Sequence, residues 1–199
     1  GDRGNSLEQN ARLFALASIA MADASITSWN TKYEYDLWRP ITAIRNGDID
    51  GNFLTEGDAD WIPLGAPGND PNSTADDFTP AFPAYTSGHA TMGAAMATTL
   101  ALFYGSDVAD ISLTSDELDG VSRYFETFTQ MSEENAQSRI YLGVHWSFDV
   151  TAGITMGDQI ARAVYANELN QVVPEAGVTS FVLLSLPLLL RRKRIVHNA

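Results

Sequence analysis

Apolar residues recur at intervals of three and four from Leu7 to about Trp29, at Leu7, Ala11, Phe14, Ala17, Met21 and Ala24. That period predicts an amphipathic helix, and Ser6 with Gln9 supplies a capping box at its start. The Arg39-Pro40 step ends what precedes it, because a residue before proline is pushed out of the helical region. Pro40 then suits the first position of a short helix over Ile41–Arg45. A second long helix is predicted over Gly88–Tyr104, with Ser87 as N-cap and Gly105 just past its end. It is nearly uncharged and rich in Ala, Met, Thr and Leu, the pattern of a helix buried in a bundle. Thr114-Ser115-Asp116-Glu117 reads as a capping box opening a helix through about Gln130. Ser132-Glu133-Glu134 reads as the start of another, ending near Leu142. A last helix is predicted from about Trp146 to Leu169. No alternating strand pattern of useful length stands out, so the expected class is an all-α helical bundle.

Two stretches fall outside this pattern. Asn46 to about Ala81 is dense in Gly, Pro, Asp and Asn and reads as a long surface loop. Its first residues, Asn46-Gly47-Asp48-Ile49-Asp50-Gly51, begin like a calcium loop. Gly57 stands where the twelfth-position Glu would be needed, so an acidic turn is the reading adopted. After Asn170 the character changes: Val173-Pro174-Glu175 precedes an apolar run, Val178–Leu190, and then Arg191-Arg192-Lys193-Arg194. Thirteen apolar-run residues including Pro187 are too few for an ordinary spanning helix. The domain assignment is therefore residues 1–170 as a helical catalytic domain and 171–199 as a sorting or anchor tail. The tail resembles the Pro-Glu-Pro type of C-terminal sorting signal of exported Gram-negative proteins, with Ala176 in place of the second proline. That resemblance implies an exported protein of the cell envelope or exterior, touching the membrane only through the tail. The first residue is Gly1, and the chain reads as the C-terminal part of something longer.

Charge sharpens the picture. The formal net charge is −13, and four of the twelve cations sit in the tail. Residues 1–170 carry eight cations against twenty-four acids, which excludes a nucleic-acid binder. Cysteine is absent, so neither disulfides nor thiolate metal sites arise. Against this acidic field, Lys32, Arg39 and Arg139 lie beside other chemically able residues, and a cluster of cations there points to an oxyanion site. Ser87 and Gly88 open a helix whose free N–H groups and small residues admit an anion, although plain N-capping accounts for them equally well. His89 sits at the same helix start, where it could exchange a proton with a bound oxygen. His145 and Asp149 are four apart and share a face if a helix runs through both; a carboxylate on one ring nitrogen leaves the other free to attack or ligate.

Lys32-x6-Arg39-Pro40, then Ser87-Gly88-His89, then Ser138-Arg139-x5-His145-x3-Asp149 resembles one superfamily. It joins type-2 phosphatidic acid phosphatases, bacterial acid phosphatases and vanadium-dependent haloperoxidases. Thr86 departs from it, standing where proline usually precedes Ser-Gly-His, and a looser turn is expected there. The resemblance implies that Lys32, Arg39, Ser87, Gly88 and Arg139 hold the oxygens of phosphate or vanadate. It makes His145 the phosphorus nucleophile or the ligand to vanadium, His89 the acid–base and Asp149 the residue that orients His145. In peroxidase chemistry it gives Lys32 the added task of polarising peroxide.

The shared residues leave the activity open. Trp38–Arg45 and Phe82–Tyr85 are most similar to bacterial haloperoxidases. On that resemblance the cofactor is vanadate, the substrates are hydrogen peroxide, a halide (bromide foremost) and a small organic molecule, and Trp38 with Phe82 borders the halide. A soluble acid phosphatase working through a phosphohistidine is the alternative. A non-catalytic envelope protein that kept the fold is a third.

Overall fold

The computed structural model describes residues 3–65, 79–116 and 118–169. Five α-helices and one hairpin follow in the order α1 (Leu7–Tyr35), α2 (Pro40–Arg45), α3 (Gly88–Tyr104), β1 (Val108–Ser115), β2 (Leu118–Thr127), α4 (Phe128–Tyr141) and α5 (Ser147–Asn167). A 3₁₀ turn covers Gly47–Ile49. The helical-bundle class holds, with a small two-stranded sheet added to it. The tail assignment lies outside the described residues, as does much of the loop before Thr79. Among the described residues no helix is long and apolar enough to cross a membrane.

Helix α3 is the centre, packed against α1, α4 and α5. Its core partners are small: Ala20 and Ala24 of α1, Ala95 of α3 and Ala161 of α5 cluster with Leu16 and Val164. Small side chains let backbones approach, and α5 takes this furthest. A Cβ on Gly157 would stand 2.1 Å from Thr91 O, and one on Gly153 would stand 2.8 Å from Ser87 O. The alanine-rich, uncharged composition of α3 thus reflects central burial.

The caps are those the sequence predicts at three ends. Ser6 and Gln9 form the capping box of α1, Ser87 caps α3, and Gly105 closes α3 with φ +64°. Helix α1 continues past Trp29 to Tyr35, which keeps Lys32 on a helical face. The region between α3 and α5 corrects the expectation. Instead of a helix opened by the Thr114–Glu117 capping box and running to about Gln130, β1 and β2 form an antiparallel hairpin pairing Ile111 with Phe125 and Leu113 with Arg123. Among the described side chains of the two strands only Ala109 and Phe125 are buried, so the alternation that marks a strand is barely written in the sequence. The capping-box residues Thr114–Asp116 belong to the strand end and turn. Thr127 caps α4 by accepting from Gln130 N, and Ser132 lies inside that helix instead of starting one. The loop after α2 is an acidic turn: Asp48 accepts from Gly57 N at 2.9 Å, and Asp50 accepts from Asn52 N at 2.7 Å and from the Thr55 hydroxyl.

Candidate active site

Five helix ends and one turn converge at one place. Lys32 comes from the last turn of α1, Arg39 is the N-cap of α2, and Ser87 and Gly88 begin α3. Arg139 ends α4, His145 lies in the turn after it, and Asp149 is in the first turn of α5. All seven are buried, Lys32 and Asp149 completely. His89 is the exposed member, at the opening of the site. The turn is fixed by Gly143, whose φ of +72° suits glycine and whose missing side chain leaves room for Pro63 and Trp61. Trp146 Nε1 donates to Trp38 O at 3.0 Å, tying this turn to the Arg39 segment.

His145 and Asp149 meet, although not by sharing a helical face: α5 begins at Ser147, after the histidine. Asp149 reaches back from the first turn. His145 Nδ1 donates to Asp149 Oδ2 at 2.9 Å, and His145 Nε2 accepts from Arg39 Nη1 at 2.9 Å. This network assigns the proton to Nδ1 and the lone pair to Nε2, inside the site. Burial, and then the repulsion of Arg39 and Lys32, outweigh the Asp149 bond and push the imidazole down to about 4. It is therefore neutral through the mildly acidic and neutral range, and its Nε2 lone pair becomes free to ligate or attack once Arg39 Nη1 turns from it to a bound oxygen. The main-chain carbonyl of Asp149 also accepts from Ser87 N at 3.1 Å. One residue thus couples the histidine to the α3 turn.

The cations are spent differently. Lys32 Nζ donates to three carbonyls of the turn before α3: Pro83 and Ala84 at 3.0 Å and Thr86 at 2.5 Å. Arg39 Nε donates to Phe82 O at 2.9 Å and Nη1 to Val144 O at 2.7 Å. Arg39 Nη2 and Arg139 Nε are buried without a hydrogen-bond partner. Leaving guanidinium N–H groups buried and unpaired is costly, and an oxyanion is the group that satisfies them bidentately. Burial and the neighbouring Arg39 lower Lys32 to about 7, and burial lowers Arg39 to about 10. His89 reaches solvent at one side, yet the protein packed around it strips enough water to hold it below its ordinary value, with Arg139, Arg39 and Lys32 adding to the effect. A cluster whose members mutually disfavour their charges is built for an anion to complete.

The aromatic surroundings differ from expectation. Phe82 lies against both cations, with its ring centroid 5.3 Å from Lys32 Nζ and 5.0 Å from the Arg39 guanidinium. The tryptophan that packs on it is Trp29, ring centroids 5.3 Å apart and 5.9 Å from Lys32 Nζ. Trp38 is half exposed and lines the outer cleft that Phe82 and Arg39 share. Trp29 was legible: it precedes Lys32 by three residues, one helical turn, and so shares its face. Beside His89, an uncharged cleft of about 330 Å³ is lined by Met21, Met92, Met96 and Met131.

Residues 12–173 match the family described as the second helical-bundle domain of VCPO. The chain belongs to this vanadium haloperoxidase family. It is 36% identical over 190 residues to vanadium chloroperoxidase of Curvularia inaequalis, a match covering 76% of this chain and 30% of that one. A crystal structure described as the first bacterial vanadium-dependent iodoperoxidase superposes with a TM-score of 0.61 at 30% identity, over 79% of this chain and 33% of that chain. The holo form of a bacterial vanadium-dependent chloroperoxidase shares the fold, with a TM-score of 0.54 at 22% identity, over 74% of this chain and 34% of that chain. The chain therefore spans about a third of the length of these haloperoxidase relatives. Vanadate, a tetrahedral oxyanion able to accept one nitrogen ligand, fits the donors present. Those donors are the free N–H groups of Arg39 and Arg139, the amide end of α3 and the Nε2 lone pair of His145.

Proposed function

We propose that the full-length protein is a vanadium-dependent haloperoxidase that oxidises bromide with hydrogen peroxide. The observation that carries the reading is the pair of unpartnered guanidinium nitrogens, Arg39 Nη2 and Arg139 Nε, buried around a neutral His145 whose Nδ1 is tied to Asp149. His145 Nε2 would ligate vanadium while Arg39, Arg139, Ser87 and the Gly88 amide hold oxygens. Ser87 Oγ accepts from Ala90 N at 3.4 Å, which leaves its proton to donate. Bound vanadate supplies Lewis acidity that polarises its oxygen ligands without a change of metal oxidation state.

The chain's own groups manage protons and charge. His89, its basicity lowered first by desolvation and then by three cations, is neutral near pH 7 and takes a proton from an incoming peroxide at the site mouth. Lys32, its N–H groups held by the turn before α3, would act on a bound peroxide through its charge, on the side where the rings of Phe82 and Trp29 lie against it. Those two rings border the halide, with Trp38 at the outer rim of the neighbouring cleft. Bromide is favoured because it is easier to oxidise than chloride. The methionine-lined cleft beside His89 suits an uncharged organic acceptor.

The test is bromination of a phenol dye by the full-length protein with and without vanadate, beside aryl phosphate hydrolysis by the vanadate-free protein. Vanadate-dependent bromination is expected. Phosphate hydrolysis without bromination would replace this reading with the acid phosphatase, since His145 Nε2 serves equally as a nucleophile toward phosphorus. Failure of both would leave the non-catalytic envelope protein. The tail reading is an address for export, and mass spectrometry of the mature C-terminus in the native host decides it: a chain from cytosol still carrying Arg194 would rule it out.

A further inference from the structure

The turn carrying Ser87, Gly88 and His89 is fastened to α1 by a hydroxyl cluster that the chemistry above does not use. Thr86 and Ser28 are completely buried. Thr86 Oγ1 donates to Ser28 Oγ at 3.2 Å, and Ser28 Oγ donates back to Thr86 O at 3.4 Å. Thr31 Oγ1 stands 3.3 Å from Thr86 Oγ1 and donates to Ser28 O at 2.8 Å. Ser28, Thr31 and Lys32 fall at i, i+3 and i+4, so one face of α1 presents all of these groups to Thr86. Immediately after Thr86, Ser87 N is held by Asp149 O and Ser87 O begins the ladder of α3. The expected loosening at this position, where the superfamily pattern has proline, is not what the packing shows.

We propose that Thr86, through its reciprocal pair with Ser28, is a positioning residue for the anion-binding turn. Proline fixes its own φ covalently; Thr86 has no such constraint. Its side chain instead binds the main chain entering Ser87 to the rigid body of α1, by hydrogen bonds in a site from which water is excluded. The α3 amides and Ser87 hydroxyl then face the oxyanion without having to be ordered by it, which is preorganisation in the usual sense. The proposal rests on the oxyanion reading of the site, and its own prediction concerns the turn.

The experiment compares Thr86→Val, which keeps shape and removes the hydroxyl, with Thr86→Ser, which keeps the hydroxyl, in the full-length protein. Ser28→Ala removes the same pair from the α1 side and takes the place of Thr86→Val should that variant not fold. Two quantities are read: affinity for inorganic phosphate by calorimetry, and amide exchange in residues 84–90 against residues 153–161 of α5. Thr86→Val is expected to bind phosphate about ten-fold more weakly and to exchange faster in 84–90 alone. Thr86→Ser should restore both. Unchanged exchange in 84–90, exchange raised equally in α5, or no rescue by serine would each overturn the proposal. A wild type that binds neither phosphate nor vanadate would sink the oxyanion reading instead, while the exchange contrast between valine and serine would still judge Thr86.

Discussion

Lys32 is a fully buried lysine with every ammonium proton given to a main-chain carbonyl. Its lowered value of about 7 has a consequence for binding. The three carbonyl bonds belong to its charged form; at pH 8 without an anion, burial leaves Lys32 mostly neutral and one of those bonds is given up, and a bound oxyanion restores the charged form. Anion binding at pH 8 should therefore take up about one proton, and at pH 5.5, where Lys32 is already charged, its share should vanish. Calorimetry in two buffers of different ionisation enthalpy measures this, with Lys32→Met as the reference that lacks it. Equal uptake by wild type and Lys32→Met would contradict the assignment. The two histidines separate by role. His145→Ala should abolish vanadate retention, because it removes the nitrogen that would ligate vanadium. His89→Ala should retain vanadate and lose turnover by about 10²–10⁴-fold, the usual worth of acid–base help. Retention by His145→Ala with loss by His89→Ala would reverse the roles. At this scale most of the site was legible, since Lys32, Arg39, Ser87, Gly88, Arg139, His145 and Asp149 converge as their motifs imply. Trp29 was passed over because its neighbour in space, Phe82, is fifty-three residues away in the chain. No local pattern pairs the two.

The central element is α3, and its contact with α5 depends on glycine. Gly157→Ala would drive a Cβ to 2.1 Å from Thr91 O and 2.9 Å from Ala95 N, main-chain atoms that cannot step aside. A loss of about 3 kcal/mol, or a fall in Tm of about 6–12 °C, is expected by thermal unfolding. Gly93→Ala makes the useful contrast. The nearest atom there is Asn135 Nδ2, the tip of a side chain that donates to His89 O. It can swing away at the cost of one hydrogen bond, about 1 kcal/mol. If both substitutions cost the same, close approach of α3 and α5 is not what holds the bundle. The helices with buried stripes and clear caps were readable from their own residues. The hairpin was not, because most of its side chains face solvent and its turn carries residues that also cap helices.

At the scale of the whole helical body, the eight cations and twenty-four acids of residues 1–170 set a buried cationic site within a strongly acidic unit. The far field repels the anions that the near field binds. Association of phosphate or vanadate should accordingly quicken as an inert salt screens the acidic surface, until the Debye length falls below about 10 Å. Stopped-flow kinetics across ionic strength would show it; slowing with salt would mean that the cations already dominate the approach. Phosphate should also displace vanadate competitively, since one set of donors serves both, and independent binding in a titration would refute a shared site.

What the sequence by itself determined is the set of candidate reactive side chains, the helical class, the start of α1 and both ends of α3, because these depend on residues within a turn or two of each other. What only the tertiary structure decided is how those side chains are spent. It decided that Lys32 binds three carbonyls of one turn, and that Asp149 joins His145 to Ser87. It also decided that Thr86 answers to Ser28. Each of these contacts joins segments far apart in the chain or sets the direction of a hydrogen bond, and both depend on helix packing that periodicity along the chain does not encode.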